Sequence, residues 1–227
     1  AEPGEVFRRP LERDFRGVRI AWSRDMGGLP IDSRITAAID AQRKAFESLG
    51  CVVEEAEPDF ADFDRVFKIW RGWGRELASG ELLRKHRDMM KDTLVWDIEQ
   101  GVHLSGPDVG WAEAKRTEIF HRMREFLERY EFFVCPVSQV PPFDVKQRYI
   151  TEINGVKMET FIDWMKACYY ITVTAHPAIS VPCGFTAEGL PVGAQIVGRY
   201  RNDFGVLQLA YAFEQATEAW KRLPPAV

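Results

Sequence analysis

The sequence lacks the features that place a protein in a membrane or on a nucleic acid. No apolar run approaches the roughly 20 residues that span a bilayer. Residues 1–5 carry neither the basic nor the apolar region of a signal peptide. The 30 basic and 34 acidic side chains give a formal charge of −4 without a long block of one sign, whereas duplex-binding proteins usually carry a basic stripe. We therefore expect a cytoplasmic protein with neither a membrane nor a nucleic acid as its partner.

Signals of metal, disulfide and common hydrolase chemistry are equally scarce. The four histidines are scattered, whereas structural zinc requires four ligands and catalytic zinc three. The motifs G-x-S-x-G, G-x-x-x-x-G-K-[ST], G-x-G-x-x-G after a strand and H-E-x-x-H are all missing. The sequence therefore predicts no metal site. The cysteines lie far apart without C-x-x-C spacing and are expected to be reduced, mostly buried thiols: Cys51, Cys135, Cys168 and Cys183.

The elements that are present indicate an α/β fold. The chain is 46% hydrophobic and 28% charged, which is typical of a globular protein. Residues 18–22 and 51–53 have the pattern of short strands. Between them, apolar residues at helical spacing over 35–49 end at Gly50, which favours the left-handed conformation that stops a helix. A strand, a helix and a strand in such short order predict a parallel βαβ unit.

Residues 59–130 are expected to be mainly helical. Gly72 and Gly74 interrupt the first apolar stripe, and because glycine destabilises a helix, we expect another element to pack closely there. A second helix is predicted over 81–100, and a third opens at 106–108. The unalternating apolar run 132–135 predicts a strand covered on both faces. The stripe itself comprises Phe60, Phe63, Phe67, Trp70, Trp73 and Leu77.

The carboxyl-terminal third predicts two hairpins between helices. Asn154 and Gly155 both tolerate positive φ and predict a tight turn between residues 149–153 and 156–158. A helix over 160–174 precedes a second antiparallel hairpin, 179–185 with 192–197, and a last helix covers about 204–220. Together, the predicted strands and helices indicate a mixed sheet flanked by helices. The predicted domain organisation is a linker or surface strap at 1–16, one α/β domain at 17–222 and a tail at 223–227.

The second hairpin carries an unusual number of prolines and glycines. One face of its first strand is bulky, whereas the other carries Ser180, Pro182 and Gly184, which let another element approach the backbone closely. Proline is typical of sheet edges and bulges, so Pro182 and Pro191 indicate missing ladder bonds. The hairpin therefore either shapes a pocket or admits a neighbouring element, and a purely structural role stays open.

This cluster closely resembles the carboxyl-terminal hallmark of the amidase-signature hydrolases. Their pattern runs N-x-T-G-H-P-A-I-S-V-P-x-G, then G-L-P-V-G-x-Q-I-V-G and a closing helix with Glu. Two positions depart from it, Thr172 and Ala175, where the family usually has Asn and Gly. The resemblance covers nearly the whole chain. Its segments are residues 18–30, 32–56, 130–142, 171–184, 189–198 and 204–214.

The resemblance implies the carboxyl-terminal portion of an α/β/α fold, without its catalytic centre. The family's lysine, its serine in a cis peptide and its nucleophilic serine lie in a Gly/Ser-rich signature that this sequence does not contain, so no catalytic residue is assigned. The whole enzyme would cleave a small-molecule carboxylic amide to an acid plus ammonia or an amine through an acyl-serine, with no metal or cofactor. The implied partner is the missing amino-terminal half, and a homo-oligomer is an open possibility.

Four residues at three- and four-residue steps before His176 are the candidates for a substrate-pocket wall. The alternative is an ordinary stripe of core packing, because apolar stripes on helices are usually that. In either case, the Gly/Pro-rich face of the second hairpin is expected to lie toward the side that the missing half would cover. The candidate wall residues are Trp164, Ala167, Tyr170 and Thr174.

Two other functions compete with the amidase hypothesis. A natural half-length relative could act as a non-catalytic scaffold or binding module. A thiol hydrolase could pair Cys183 with His176, but an intervening strand would separate them beyond hydrogen-bond reach, since extended residues advance about 3.3 Å each. A reactive thiol also needs an electropositive, partly exposed setting. The position of His176 before Pro177 favours a turn residue that bonds the backbone.

Overall fold

A five-stranded mixed sheet organises the fold and has the order β2-β1-β3-β7-β6. The computed structural model describes residues 3–222, so the predicted tail at 223–227 lies outside the described residues. The elements, in chain order, are β1 (Arg19–Trp22), α1 (Ser33–Asp40), α2 (Arg43–Ser48), β2 (Val52–Glu55), α3 (Phe63–His86), α4 (Asp92–Val102), α5 (Gly106–Arg129), β3 (Phe132–Pro136), β4 (Glu152–Ile153), β5 (Val156–Lys157), α6 (Lys166–Thr174), β6 (Ala178–Phe185), β7 (Pro191–Gly198) and α7 (Asp203–Thr217).

The first half of the sheet is parallel, as the βαβ pattern predicts. Strand β1 lies between β2 and β3 and runs parallel to both. The prediction of a single helix over 35–49 is wrong, because the segment forms two short helices. The Gln42 N–H bonds to the Ile39 carbonyl, three residues back, and this tighter turn divides the segment into α1 and α2. Ile39 and Phe46 are both buried, so the two short helices keep one apolar side on the core.

The second half of the sheet is antiparallel, and β6 forms its edge. Strand β7 pairs with both β3 and β6, which confirms the predicted hairpin. All five residues of β3 are buried, as expected for a strand covered on both faces. The predicted turn at Asn154 and Gly155 is also confirmed, with φ of 49° and 81°, although β4 and β5 have two residues each.

Helices cover the two faces of the sheet in separate layers. Trp22 pairs with Val134, the neighbour of Phe133, so Trp22 and Phe133 point to opposite faces. Trp22 packs against Phe46 of α2, at 5.9 Å between ring centroids, and α1, α2 and α7 form that layer. Phe133 packs against Phe126 of α5 at 5.7 Å, and α3, α5 and α6 form the other. This arrangement confirms the predicted α/β class with a mixed sheet.

The helix boundaries between residues 59 and 130 differ from the prediction. Helix α3 continues to His86, a 3-10 turn follows at Arg87–Met89, and α4 begins at Asp92, so the helix expected over 81–100 is wrong. The start of α5 is confirmed: Ser105 and Asp108 exchange side-chain and backbone hydrogen bonds in a capping box.

Gly72 and Gly74 behave differently in α3. A Cβ on Gly72 would lie 3.1 Å from the backbone N of Gly101 in α4, so the expected close packing is confirmed there. A Cβ on Gly74 would meet nothing within 4 Å, so the same expectation is wrong for Gly74.

The last two predicted helices are shorter than expected. Helix α6 begins at Lys166, after a 3-10 turn at Asp163–Met165, rather than at residue 160. Helix α7 ends at Thr217 because Glu218 adopts a left-handed conformation, with φ of 48°. Within residues 3–222 no helix is both long and apolar enough to cross a membrane.

Residues 13–15 lie against the domain. Phe15 is buried and packs against Phe132 of β3, at 6.4 Å between ring centroids. The Arg13 guanidinium donates two hydrogen bonds to the Glu131 carboxylate, at 2.6 and 3.0 Å. These contacts fix the chain just before β1.

Candidate functional site: the open face of the sheet

One part of the sheet lies outside both helical layers. We call it the open face; it consists of Ala178, Ser180 and Pro182 on β6 with Gly193 on β7. The three β6 residues are exposed, whereas Val181, which points the other way, is 2% exposed. The Gly/Pro-rich face of the hairpin therefore points to the uncovered side, as the sequence predicts.

Local geometry requires the small residues of the open face. A Cβ on Gly193 would lie 2.8 Å from Ser180 Oγ and 3.1 Å from Val137 Cγ1. The register with β7 shifts between Pro182 and Gly184, and Gly184 has φ of +154°. Proline at an edge strand and glycine at a bulge are the usual arrangement. The surface is consequently flat and close to the backbone.

One side of α6 borders the open face, and we call it the α6 rim. It consists of Cys168 and Thr172, which are exposed and one helical turn apart, and of Ala175, which is exposed and directly follows α6 in a left-handed conformation with φ of 57°. Cys168 lies near the buried Cys135 of β3, and the Gln195 side chain of β7 donates to Cys135 Sγ at 3.7 Å. Gln195 pairs with Cys135 on one side and with Ser180 on the other, so Cys168 of the α6 rim lies on the same side of the sheet as the open face.

A cluster of charged side chains fixes α6 against α3. Lys68 Nζ lies 2.9 Å from Asp64 Oδ2 and 2.7 Å from Asp163 Oδ1. Lys166 Nζ lies 3.8 Å from each of these carboxylates, and the Tyr169 hydroxyl donates to Asp64. These five residues are the α3–α6 cluster. The spacings of Asp64 with Lys68 and of Asp163 with Lys166 are visible in the sequence, but the sequence alone does not show that the two pairs meet.

The α3–α6 cluster keeps the Asp163 carboxylate ionised. Burial alone would raise the pKa of Asp163, but hydrogen bonds from Lys68 and from the Thr160 N–H bring it below its ordinary value. Burial would lower the pKa of Lys68, but its two carboxylate partners raise it instead. Burial and the neighbouring Asp64 raise the pKa of the Tyr169 phenol. The cluster therefore stabilises the position of α6 at neutral pH.

The four candidate wall residues do not share one surface. Ala167 and Thr174 are 0% exposed. Tyr170 packs against Phe60 and Phe63, each at 5.6 Å, and burial raises its pKa to about 12. The pocket-wall role of these residues stays a prediction.

Trp164 has a more open setting than the other wall candidates. It precedes α6, in the 3-10 turn, and its indole N–H donates to the Phe161 carbonyl at 2.9 Å. It lines a cavity of about 450 Å³ together with Arg148 and Tyr149. This is the wall candidate that an approaching ligand can reach in the described structure.

The geometry excludes Cys183 and His176 as a catalytic pair. Burial raises the pKa of the Cys183 thiol to about 12, the opposite of what an activated nucleophile needs. The His176 Nδ1–H donates to the Thr174 carbonyl at 2.8 Å, and burial lowers the pKa of the ring. Among residues 3–222 no hydrogen bond joins the two side chains. His176 is a buried turn residue that bonds the backbone, as the sequence indicates.

A charged cavity of about 630 Å³ lies at the other end of the sheet, where β1 and β2 terminate. Arg24 pairs with Asp40 at 3.3 Å, and Arg43 pairs with Glu55 at 3.2 Å. Both arginines of the lining are paired and hold loops and helix ends in place, whereas Asp25 and Glu57 leave the lining with an excess of acidic side chains.

The environments of the four thiols predict a simple labelling pattern. Cys51, Cys135 and Cys183 are buried, and burial raises their pKa values to about 11, 12 and 12. Cys168 is exposed. A thiolate-selective reagent at mildly alkaline pH should modify one thiol per native chain and four in denaturant, with Cys168 identified by mass spectrometry. A second thiol reacting equally fast in the native protein would contradict this assignment.

The fold and the open face together define the class of protein. A mixed sheet lies between two helical layers. One of these layers stops before the edge strand β6, so the fold is an α/β/α sandwich in which one face of that edge is uncovered. The family model described as Amidase matches residues 2–207. The chain belongs to the amidase family, which confirms the resemblance seen in the sequence.

Two relatives show how much of a family member is present. The chain is 34% identical over 218 residues to the acylamidase of Rhodococcus erythropolis, covering 94% of this chain and 45% of that protein. It is 27% identical over 248 residues to a glutamyl-tRNA(Gln) amidotransferase subunit of Thermodesulfovibrio yellowstonii, covering 96% and 49%. The chain thus spans about half the length of the curated relatives it matches.

Solved structures agree on the fold. A bacterial aryl acylamidase of the amidase signature family superposes with a TM-score of 0.80 at 23% identity, over 93% of this chain and 46% of that one. The 6-aminohexanoate cyclic dimer hydrolase superposes with a TM-score of 0.80 at 17% identity, over 95% and 48%. At these identities the likeness shows the fold alone.

Proposed function

We propose that this chain is the carboxyl-terminal portion of an amide hydrolase whose nucleophilic serine lies in an amino-terminal portion. The observation that carries the proposal is the combination of family and coverage. The family match spans most of the chain, yet the chain corresponds to about half of each relative. The Gly/Ser-rich signature that would hold the serines and lysine of the family has no counterpart in these 227 residues.

The reaction assigned to the whole protein is hydrolysis of a carboxylic amide through an acyl-serine. The serine oxygen attacks the carbonyl carbon, its proton passes through the second serine to a neutral lysine, and the amine or ammonia leaves with a proton. Water then attacks the acyl-serine, which releases the acid and restores the serine. Backbone N–H groups of the signature would stabilise the oxyanion. The names of the acylamidase relatives support an amide as the substrate class.

In this proposal the present chain supplies a sheet and part of the substrate pocket. The α3–α6 cluster holds α6, and therefore the α6 rim, at a fixed position beside the open face. Trp164 and its cavity of about 450 Å³ are the candidate contact for the substrate's non-reacting part. Ala167, Tyr170 and Thr174 would support that wall from the core side, since their side chains are buried.

The first test is an activity measurement on the chain alone. Purified residues 1–227 should hydrolyse no simple amide, such as a p-nitroanilide, because the Gly/Ser-rich signature with the family's serines and lysine has no counterpart in this sequence. Turnover that survives purification from host amidases would overturn the proposal. A chimera that joins, in one polypeptide, the part of the acylamidase outside the aligned 45% to residues 1–227 should hydrolyse the same amide. If this chimera folds, binds an amide and still shows no turnover, the alternative of a non-catalytic binding module is supported instead.

A further inference from the structure

Three aromatic side chains line the cavity beside Trp164. They are Tyr149, Phe161 and Trp164 itself, and the cavity volume of about 450 Å³ lies in the range of small-molecule sites. The Trp164 indole N–H is already bonded to the Phe161 carbonyl, at 2.9 Å, so Trp164 offers a ligand only its ring. The aromatic part of the lining therefore fits a flat, apolar group.

Neighbouring rings hold these three side chains in place. Trp164 packs edge-to-face on Phe143, with ring centroids 5.3 Å apart. Phe161 packs in the same way on Trp96 at 5.5 Å, and Tyr149 lies 6.1 Å from Phe161. Side chains that are fixed before binding lose little conformational entropy when a ligand arrives, and aromatic pairs gain energy beyond their buried area. An aromatic ring is the apolar group that this lining would bind best.

The charged side chains of this cavity are both basic. Lys91 and Arg148 line it, and none of its lining residues is acidic. Arg148 donates to the Asp92 carboxylate, at 2.9 Å, whereas Lys91 has no ion pair among residues 3–222. The chain as a whole has a formal charge of −4, so a basic lining runs against its overall balance. The cavity is therefore complementary to a ligand that carries negative charge.

A neighbouring cavity of about 280 Å³ has the opposite charge. It shares Tyr149 and Phe161 with the first cavity, but adds Asp92 and Glu159 and has no basic side chain in its lining. An anion is disfavoured there. The contrast indicates where the acidic group of a ligand would lie, which is beside Lys91.

The basic cavity adjoins the α6 rim. Met165 also lines this cavity, directly precedes α6 and lies three residues before Cys168. Residues three apart lie on one side of a helical segment, so Met165 extends the side of α6 on which Cys168 and Thr172 are exposed. This is the region that the proposed function assigns to the non-reacting part of the substrate.

We propose that this cavity selects amides whose non-reacting part is an aromatic ring with an acidic group, the ring lying against Trp164 and the anion beside Lys91. The proposal rests on the proposed function, because it names the class of its substrate. Lys91 and Trp164 are the specificity-determining residues. Every lining residue belongs to this chain, so the chain alone should bind such an amide.

The test compares two probes of equal shape by calorimetric titration of residues 1–227. We expect para-acetamidobenzoate to bind about fivefold or more tightly than the neutral para-acetamidobenzamide. Lys91→Met removes the charge and should abolish this preference, whereas Lys44→Met, at an exposed lysine of α2, is the matched control and should keep it. Trp164→Ala should weaken the binding of both probes about fivefold. Because Lys91 is exposed, added salt should reduce the preference.

Three results would overturn the proposal. They are equal affinity of the unaltered chain for the two probes, a preference that Lys91→Met leaves intact, and no binding of either probe at millimolar concentration, because the cavity is complete within this chain.

Turnover by the chimera separates this inference from the proposed function. Release of acetate from the two probes should show the same preference in kcat/KM, and Lys91→Met should remove it. A chimera that hydrolyses both probes equally well overturns the inference and leaves the proposed function standing. A chain that prefers the anionic probe in binding, in a chimera that hydrolyses neither, leaves the aromatic-anion site standing and refutes the proposed function.

Discussion

Replacing Asp163 with alanine should lower the free energy of unfolding by about 3 kcal/mol, with a fall in melting temperature of about 6–12 °C. The Asp163 side chain is 4% exposed and Lys68 is 27% exposed. Removing the carboxylate leaves the ammonium of Lys68 in a desolvated position with one partner fewer, and the unpaired Thr160 N–H adds to the loss. Chemical denaturation followed by tryptophan fluorescence measures the change.

The control for this prediction removes an exposed carboxylate. Glu81 pairs with Lys85 on the surface of α3, with side chains 71% and 62% exposed, so Glu81→Ala should change stability by less than about 1 kcal/mol. Asp163→Asn keeps the shape and removes the charge, and it should fall between the other two. If Asp163→Ala and Glu81→Ala have equal effects, the α3–α6 cluster does not stabilise the position of α6.

The stability that Asp163 contributes should decrease as the pH falls. The pKa of Asp163 is lowered in the folded protein, so its contribution is fully present above the ordinary carboxyl range near about pH 4. It is lost as the pH falls through the lowered folded-state value. The stability difference between the unaltered chain and Asp163→Ala should therefore be constant from about pH 6 to 8 and shrink in acid.

The elements that can be predicted well from the sequence depend on local rules. The Asn154–Gly155 turn needs positive φ at two successive residues, and few residue pairs allow it. The buried strand β3 follows from an apolar run with no alternation, and the start of α5 follows from a cap whose partners are three residues apart. In these cases a few neighbouring residues determine the conformation, so no tertiary information is required.

The features that the sequence does not reveal depend on distant residues. The break between α3 and α4 falls inside a predicted helix because the apolar spacing continues across it. The pocket-wall stripe could not be divided into buried and open members, because the exposure of Trp164 and Tyr170 depends on Phe60, Phe63 and Phe143, which lie far away in the chain. The α3–α6 cluster likewise joins residues 105 positions apart, as in the bond from Tyr169 to Asp64.

The catalytic site illustrates a different limit. No catalytic residue can be assigned from the sequence, because the chemistry that the family requires has no counterpart in this chain. The orientation of the hairpin face, in contrast, is predictable from the difference between small residues such as Ser180 and bulky ones such as Val181. That difference concerns the side chains of one strand alone, so it can be read from the sequence without knowledge of what packs on either face.

Two glycine-to-alanine substitutions in neighbouring helices should change stability in opposite directions. A Cβ on Gly101 of α4 would collide with the carbonyl oxygen of Gly72 and lie 2.7 Å from Glu76 Cβ. The collision is with backbone, which cannot rotate away, so α3 and α4 must separate. We expect Gly101→Ala to lower the free energy of unfolding by about 2 kcal/mol, even after its gain in helix propensity.

Gly74→Ala is the matched control, because it adds the same methyl group to a helix at a position where no neighbouring element is close. A Cβ on Gly74 would meet nothing within 4 Å, so the substitution should stabilise the protein by up to about 1 kcal/mol through helix propensity. Urea denaturation of both variants should show that their free energies of unfolding differ by about 3 kcal/mol, although each variant adds one methyl group to a helix. Since propensity favours both equally, a similar effect from the two would show that α3 and α4 do not make the close approach through Gly72 and Gly101.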